Sequence, residues 1–337
     1  MLTSCPAHRQ QVLAGELSRV VPLSRRHELI PLGVSADGRT AYLSAWTPRF
    51  AGVARLSLST GTLRPIHRFP DPATDQADGA WGGRWLVWEE TTSLQSLDDF
   101  TILAWDSVTG RIRRLGHSLA GPGGTPWPSP WRAPAVSGDH VAWAQGYAAG
   151  GLVEIRLANL RTGRVTVIRR GHVQAPFFAG RLLAWPESDR PGAVTSLRAV
   201  DPATGEAVPL PRALRAVRGT DFVASDAGRT AYLGPSLTTL YYSPAQDRRA
   251  TAVLRLQAGV SFAGLEMGRD LLAWTTTRAT FVASMRAGRY LQVTPAYGFA
   301  VTGLGSTVLV SDPPGQRAQH SALALHVLDA AAIGRCN

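Results

Sequence analysis

Polar side chains follow strands that end in Trp at several points along this 337-residue chain. Glu89 and Glu90 come directly after WLVW, Gln145 follows VAW, and Glu187 and Asp189 follow LLAW. Two carboxyl groups that face one cleft can act as acid and base on a carbohydrate-like ligand, provided that the pKa of one is raised. These strand-end residues are therefore the candidate binding residues, with Glu90, Glu187 and Asp189 as the candidate acids and bases.

The longest connection between strands, HSLAGPGGTPWPSPWRAP at 117–134, adds two aromatic candidates. It holds Trp127 and Trp131, which are stiffened by neighbouring prolines. Long loops on a rigid scaffold often carry binding sites, and a rigid indole can stack on a sugar ring or on a proline of a peptide. The structural alternative is a loop that plugs a channel or supports a neighbouring sheet.

No motif of an enzyme or of a metal site accompanies these residues. The eight His residues are scattered without an HxxxH or HExxH pair, and no GxSxG elbow, Walker loop or dinucleotide fingerprint occurs. Every basic residue is Arg, so chemistry through a Lys amine is excluded. The sequence therefore predicts a protein that is not an enzyme and that binds no metal or cofactor.

A recurring phrase, in which a Gly leads an apolar strand that ends in Trp, must position the candidates. It reads GRWLVW at 83–88, GDHVAW at 138–143, GRLLAW at 180–185 and GRDLLAW at 268–274. An alternating strand and a Thr-Gly turn follow the first three of these phrases, and the unit upstream of them has the same turn at 60–61. Short strands that repeat every 40 to 50 residues or so indicate a propeller or solenoid, and a Trp that recurs once per repeat belongs in its core.

Weaker repeats bring the number of units to seven. GRTAYL occurs at 38–43 and again at 228–233, TFVASM follows the fourth Trp phrase, and GSTVLV at 305–310 begins the last unit. We therefore predict an all-β, seven-bladed β-propeller of four-stranded antiparallel blades, with six or eight blades as alternatives. The ring would close near the two termini, with residues 1–26 as an N-terminal segment that contributes a closing strand and residues 27–337 as a single, monomeric domain.

The first unit, GVSADGRTAYLSAW followed by ARLSLSTGTLRPI, resembles the repeat of the TolB-like and WD40-like bacterial propellers. In that repeat a Ser-Pro-Asp-Gly-Lys/Arg turn precedes one strand and a Thr-Gly turn follows the next. The chain departs from it at Ala36, which stands in place of the Pro. The resemblance implies a propeller that is often extracytoplasmic and often a protein-interaction platform, and it carries over no catalytic residue. The matching positions are Ser35, Asp37, Gly38, Arg39, Thr60 and Gly61, with Asp226, Gly228 and Arg229 in the fifth unit.

The two Cys residues lie at opposite ends of the chain. In a closed ring the first and last segments are neighbours, so a disulfide between Cys5 and Cys336 would fasten the ring and would imply an oxidising compartment. The competing interpretation is lipidation of Cys5, because LTSC at 2–5 resembles the end of a lipoprotein signal. Both interpretations predict an extracytoplasmic protein, which is periplasmic, secreted or lipid-anchored at the cell surface. The sequence has no transmembrane segment of 18 or more apolar residues.

The formal net charge of +11 is the composition figure that bears on function. Many Arg residues lie on or beside the strand after each turn, which would be the outermost strand of a blade. Nucleic acid is disfavoured as a partner, because no basic run exceeds two residues and no alternation of aromatic residues with Arg appears.

The leading hypothesis is a non-catalytic platform for another protein, such as one of the cell envelope, or for a small polar ligand. The alternatives are a carbohydrate hydrolase or lyase, and a basic-rim protein that docks on an anionic surface.

Overall fold

The computed structural model is built of β-strands, and apart from a single helical turn residue, Ile333, its one described helical segment is the 3-10 turn Pro122–Gly124. It describes residues 1–5, 19–22, 28–70, 76–91, 99–127, 133–220, 222–226, 228–294, 299–302, 305–311, 324–329 and 333. The chain divides into two compact units. The first comprises Met1–Arg68, Ala231–Tyr242 and Thr251–Asn337, and the second comprises Phe69–Thr230 and Ser243–Ala250.

The strands of the first part of the chain are short, as the repeat predicts. They are β1 (Thr3–Ser4), β2 (Arg19–Pro22), β3 (Glu28–Val34), β4 (Thr40–Thr47), β5 (Phe50–Ser57), β6 (Leu63–Arg68), β7 (Gln76–Trp81), β8 (Trp85–Thr91), β9 (Phe100–Asp106), β10 (Ile112–His117), β11 (Ala135–Ser137), β12 (His140–Ala148), β13 (Leu152–Asn159) and β14 (Val165–Val173).

The strands of the second part follow the same plan. They are β15 (Phe177–Ala179), β16 (Leu182–Ser188), β17 (Ser196–Val200), β18 (Val223–Asp226), β19 (Arg229–Leu233), β20 (Thr239–Ser243), β21 (Thr251–Arg255), β22 (Phe262–Met267), β23 (Leu271–Thr276), β24 (Thr280–Ser284), β25 (Arg289–Thr294), β26 (Phe299–Thr302), β27 (Thr307–Ser311) and β28 (Ala324–Asp329).

Most sheets are four-stranded antiparallel meanders in which sequence neighbours pair. The orders are β3-β4-β5-β6, β7-β8-β9-β10, β18-β19-β20-β21 and β22-β23-β24-β25. The sheet β26-β27-β28 takes its fourth strand from the N-terminal part of the chain, because β2 pairs with β28. The short strand β1 adds to β25 in parallel.

The third and fourth repeats depart from the prediction of separate four-stranded blades. The strands β11 to β17 form one continuous seven-stranded sheet, because the end of β14 pairs with the end of β16 at His172–Ser188 and Val173–Glu187. After β17 the described residues of the fourth repeat continue only with isolated bridges, one between Val200 and Ala207 and one between Ser196 and Arg218. The segment that follows contains Pro209 and Pro211, and proline cannot donate the backbone hydrogen bonds that a regular strand needs.

Successive sheets pack face to face within each unit. In the second unit, Val87 and Ile102 of one sheet share a buried cluster with Val141 and Trp143 of the next. A second cluster joins Ile155 of β13 with residues of β16, including Leu183 and Trp185. The strands that carry Trp are apolar on both faces, which suits strands that are covered on both sides. The fold is therefore an all-β, propeller-like arrangement of four-stranded antiparallel sheets.

The first unit is built in the same way. One cluster joins Leu271 and Val282 to Val308 and Val310, and it also contains the buried Cys5. Another cluster packs the sheet β3–β6 against Leu309 of β27 and Leu325 of β28.

The recurring Trp side chains are buried, which confirms that they belong to the core. The residues are Trp88, Trp143, Trp185 and Trp274.

Candidate functional site

The Trp strands position three of the candidate residues for a structural purpose. Trp88 Nε1 donates to Glu90 Oε1 at 2.7 Å, and Trp143 Nε1 donates to Gln145 Oε1 at 3.3 Å. The same bond joins the indole of Trp185 to Glu187 at 3.1 Å. Residues i and i+2 of a strand share one face, so each Trp finds its acceptor two residues later on its own strand. These polar residues lie between the sheets and satisfy buried indole N–H groups.

The candidate acids and bases do not assemble into an acid–base pair. Glu187 also forms a bidentate ion pair with Arg169, while Asp189 is exposed at the end of the strand. The structure therefore does not bring Glu90, Glu187 and Asp189 together as acid and base.

The long connection folds back on itself as far as it is described. Trp127 donates its backbone N–H to Leu119 O at 2.9 Å, and Ala120 and Pro126 form a bridge. The ring of Trp127 lies against Gly121, where a Cβ would come within 3.0 Å of it. Trp127 thus packs on its own loop. Trp131 and Cys336 lie outside the described residues, so the pairing of Cys5 with Cys336 stays a prediction.

Glu89, one residue before Glu90, points to the opposite face of its strand and meets a second carboxylate. Asp78 of β7 is its cross-strand partner in the β7–β8 ladder. Burial raises the pKa of Glu89 from 4.5 to about 8, and the negative charge of Asp78 adds to the shift. Both side chains are only partly buried. Glu89 is therefore a carboxylic acid that keeps its proton at neutral pH beside a carboxylate.

Gln145 lies on the sheet face that packs against the face of Glu89. Its neighbour two residues earlier, Trp143, belongs to the same buried cluster as Val87 and Ile102, which flank Glu89 on its own face. Gln145 is fully buried, and its Nε2 has no hydrogen-bond partner among the described residues. A buried amide donor without a partner is costly, so this position suits the acceptor of a ligand or of a bound water.

A charged row continues from Gln145 across its sheet. Glu154 is the cross-strand partner of Gln145, and Arg170 is the partner of Glu154. The fully buried carboxylate of Glu154 accepts from Arg156 Nε at 2.6 Å and from Arg170 Nε at 3.0 Å. The guanidinium of Arg170 also lies over the ring of Tyr147, at 5.3 Å from its centroid. These charges are matched inside the sheet, beside Gln145.

Sequence reasoning selected Glu89 and Gln145 and missed Asp78 and Glu154. Asp78 carries no repeat signal, because the first strand of each sheet varies most in sequence. The register of β7 against β8 places it beside Glu89. Glu154 follows the alternation of its strand, and an acidic residue that alternates with apolar ones in LVEIRL was the available signal.

Within the described part of the chain, no group of three or more His, Cys, Asp or Glu residues is arranged to hold a metal ion. Among the described residues, no helix has the length and hydropathy that crossing a membrane requires.

Comparison with known proteins relates the chain to other proteins by its fold and not by its sequence. The sequence matches no protein-family model and no curated protein. A solved prolyl endopeptidase superposes with a TM-score of 0.60 and 11% identity over 96% of this chain and 49% of that chain, so the chain spans about half of its length. An oligogalacturonate lyase in complex with manganese has a TM-score of 0.54 and 10% identity, with 91% of each chain covered. The oligogalacturonate lyase of Vibrio parahaemolyticus has a TM-score of 0.54 and 10% identity over 93% of this chain and 98% of that chain.

These comparisons correct one prediction. The absence of a catalytic motif predicted that the protein is not an enzyme, and that prediction is contradicted, because the similar solved structures include enzymes. A contiguous motif is a poor guide in this kind of fold, because polar groups from separate strands lie side by side, as Asp78 and Glu89 do. At 10 to 11% identity the likeness shows the fold alone.

Proposed function

We propose that the protein binds a carbohydrate-like ligand at Asp78, Glu89 and Gln145 and acts on it by proton transfer. The observations that carry the proposal are the pair of carboxyl groups and the unpartnered amide of Gln145 on the sheet face that packs against the face of Glu89. The site offers an acceptor in the Asp78 carboxylate and donors in the Glu89 acid and the Gln145 amide. Hydroxyl groups of a sugar both donate and accept, so they match this mixed set.

Glu89 is the proton donor of the proposed reaction. A general acid works best when its pKa lies near the working pH, and Glu89 has a pKa of about 8. Cross-strand partners hold their Cβ atoms about 4.5–5.5 Å apart, which keeps Asp78 within reach of the same glycosidic oxygen or ring carbon. Cleavage of a glycosidic bond needs this division of labour between one protonated and one ionised carboxyl group.

A panel of neutral, amino and uronic acid oligosaccharides tests the proposal. Binding is followed by saturation-transfer NMR, and cleavage is followed by the release of new chain ends. We expect Glu89→Gln to keep binding and to lower the cleavage rate by about 10²–10⁴-fold, which is the usual contribution of a general acid. Asp78→Asn should weaken both binding and cleavage.

The matched control is Glu90→Gln, the same substitution one residue along the strand. Glu90 faces the other side and bonds to the Trp88 indole, so this variant should keep full cleavage activity. Equal activity of the Glu89 and Glu90 variants would contradict the proposal. So would a wild-type protein that binds no member of the panel.

We also propose that the sheets form one seven-bladed ring of the TolB-like and WD40-like type in an extracytoplasmic protein. Support comes from the seven sequence repeats, each of which forms strands, and from β2, which completes the last sheet from the other end of the chain. A crystal structure with seven sheets about one axis would support the ring, and an open arrangement would contradict it.

A further inference from the structure

The outer strand β14 has a free backbone edge over its first half. Its inner edge pairs with β13 along Val165–Gly171, and no described strand pairs with its other edge over that stretch, whereas His172 and Val173, beyond the β13 ladder, pair with β16. With nine residues it is longer than the other outer strands β6, β10, β21 and β25. The edge before His172 therefore presents backbone donors and acceptors to solvent.

The hydrogen-bond alternation of the ladder shows which residues point outward. Asn159 donates its backbone N–H to Arg164 O at 2.9 Å, so Arg164 bonds toward β13. In an antiparallel ladder the bonded and non-bonded pairs alternate, so Val165 and Val167 direct their N–H and C=O groups away from β13.

The protein itself adds a strand to the outer edge of β25. The segment Thr3–Ser4 pairs in parallel with β25, where Thr3 N–H and Cys5 N–H bond to carbonyl groups of Gly288 and Tyr290 at 3.0 and 2.9 Å. The outer edge of β25 thus accepts an extended segment.

The side chains along the free edge favour an acidic partner. Val165 and Val167 are exposed by 36% and 42%, and exposed Arg161 and Arg164 flank them without a described carboxylate partner. Two carboxylates of this sheet are already paired, because Glu154 is held by Arg156 and Arg170, and Glu187 is held by Arg169. An incoming strand therefore meets apolar side chains within a net positive field.

We propose that Arg164–Ile168 is a docking edge for an extended, acidic segment of a partner protein, which adds as a further strand. Backbone hydrogen bonds to Val165 and Val167 supply the affinity. The arginines select acidic residues, and the exposed valines select apolar residues at alternate positions. This inference is independent of the proposed carbohydrate site.

Fluorescence anisotropy with the labelled peptide Asp-Val-Glu-Val-Asp-Val tests the inference. We expect the Lys-for-acid version of the peptide to bind at least about tenfold more weakly. Val167→Pro removes an outward N–H, which edge strands tolerate, and it should lower the affinity for the acidic peptide by about tenfold or more.

The control is Ile112→Pro, which removes an outward N–H from the outer strand of another sheet, two residues before the position that corresponds to Val167. Ile112 occupies the position of Val165 in the preceding sheet, because Asp106 N–H bonds to Arg111 O as Asn159 N–H bonds to Arg164 O. This variant should bind the peptide as the wild type does. If both proline variants lose binding to the same extent, the inference is overturned.

A charge variant keeps the test valid should Val167→Pro fail to fold. Arg161→Gln combined with Arg164→Gln leaves the backbone edge intact and should weaken binding of the acidic peptide by about tenfold. Unchanged affinity in this variant would overturn the inference. So would a wild-type protein that binds phosphatidylglycerol vesicles and does not bind the peptide, because the surface would then recognise a membrane.

Discussion

At the residue scale, one interaction explains most of the polar residues at the ends of the Trp strands. The indoles of Trp88, Trp143 and Trp185 donate to a side chain two residues later. Trp274 differs, because Thr276 bonds to the backbone of Ala279 and leaves the Trp274 N–H without a partner among the described residues. The sequence displays this Trp-x-Glu/Gln spacing. Polar residues at strand ends are usually interpreted as binding residues, so the spacing alone did not indicate that they accept hydrogen bonds from the buried indoles.

Replacing these Trp residues by Phe should therefore have unequal costs. Trp88→Phe leaves the buried Glu90 without its indole donor, whereas Trp274→Phe removes an N–H that has no acceptor. We expect Trp88→Phe to lower the free energy of unfolding by about 1–3 kcal/mol more than Trp274→Phe does. Urea unfolding of both variants measures the difference, and equal losses would refute the structural role of Glu90.

The raised pKa of Glu89 predicts a pH-dependent stability. The folded protein keeps a proton on Glu89 that the unfolded chain releases between pH 4.5 and about 8. The contribution of this group is thus fully present below pH 4.5 and is lost as the pH rises toward 8, by up to about 1.4 kcal/mol per pH unit. Glu89→Gln should gain stability relative to the wild type across this window. Thermal unfolding of the two proteins at matched pH values measures it, and a constant difference would contradict the shift.

At the element scale, the recurring turn is larger than the Thr-Gly pair that the sequence makes obvious. The residue four positions before each Gly accepts the Gly N–H on its backbone carbonyl at 2.7–2.9 Å, and the Gly has a positive φ of 65 to 76°. A short polar side chain at that position also accepts a backbone N–H within the turn. The positions are Ser57, Asp106, Asn159, Asp201 and Ser284.

Asp106 accepts more hydrogen bonds than its counterpart Asp201, so replacing Asp106 by Ala should destabilise the protein more than replacing Asp201 by Ala. Asp106 accepts from Val108 N–H, from the Thr109 hydroxyl and from both Nε and Nη2 of Arg84, and these bonds, led by Arg84, hold its pKa far below the usual range. Asp106→Ala should destabilise the protein by about 2–4 kcal/mol and Asp201→Ala by about 1 kcal/mol. Chemical denaturation compares them, and equal effects would show that the Arg84 pair contributes nothing.

At the scale of the whole molecule, the sequence predicts the repeats better than their exceptions. Short strands with one Trp per repeat follow from composition and period, so the sheets were foreseeable. The merging of β14 with β16 depends on two cross-strand residue pairs. The pairing of Asp78 with Glu89 depends on the register of β7 against β8, and the sequence of β7 has no repeat signal. Contacts between strands that are set by register cannot be read from a period along the chain.

The predicted disulfide between the ends of the chain also belongs to this scale. If Cys5 pairs with Cys336, thiol titration of the unfolded protein should find no free thiol before reduction and two after it. Cys5→Ser should then lower the free energy of unfolding by about 4 to 5 kcal/mol in the chain-entropy account. Two free thiols in protein from an oxidising compartment would refute the bond, and one free thiol would favour lipidation of Cys5.

The proposed function depends most on a protonated Glu89 beside the carboxylate of Asp78. The direct measurement is a ¹³C NMR titration of the side-chain carboxyl groups, with the Glu89 signal assigned from Glu89→Gln. We expect Glu89 to titrate with a pKa of about 8 in the wild type and at a lower value in Asp78→Asn, because the neighbouring negative charge is gone. A Glu89 pKa near 4.5 that does not respond to Asp78→Asn would contradict the proposed acid and the function built on it.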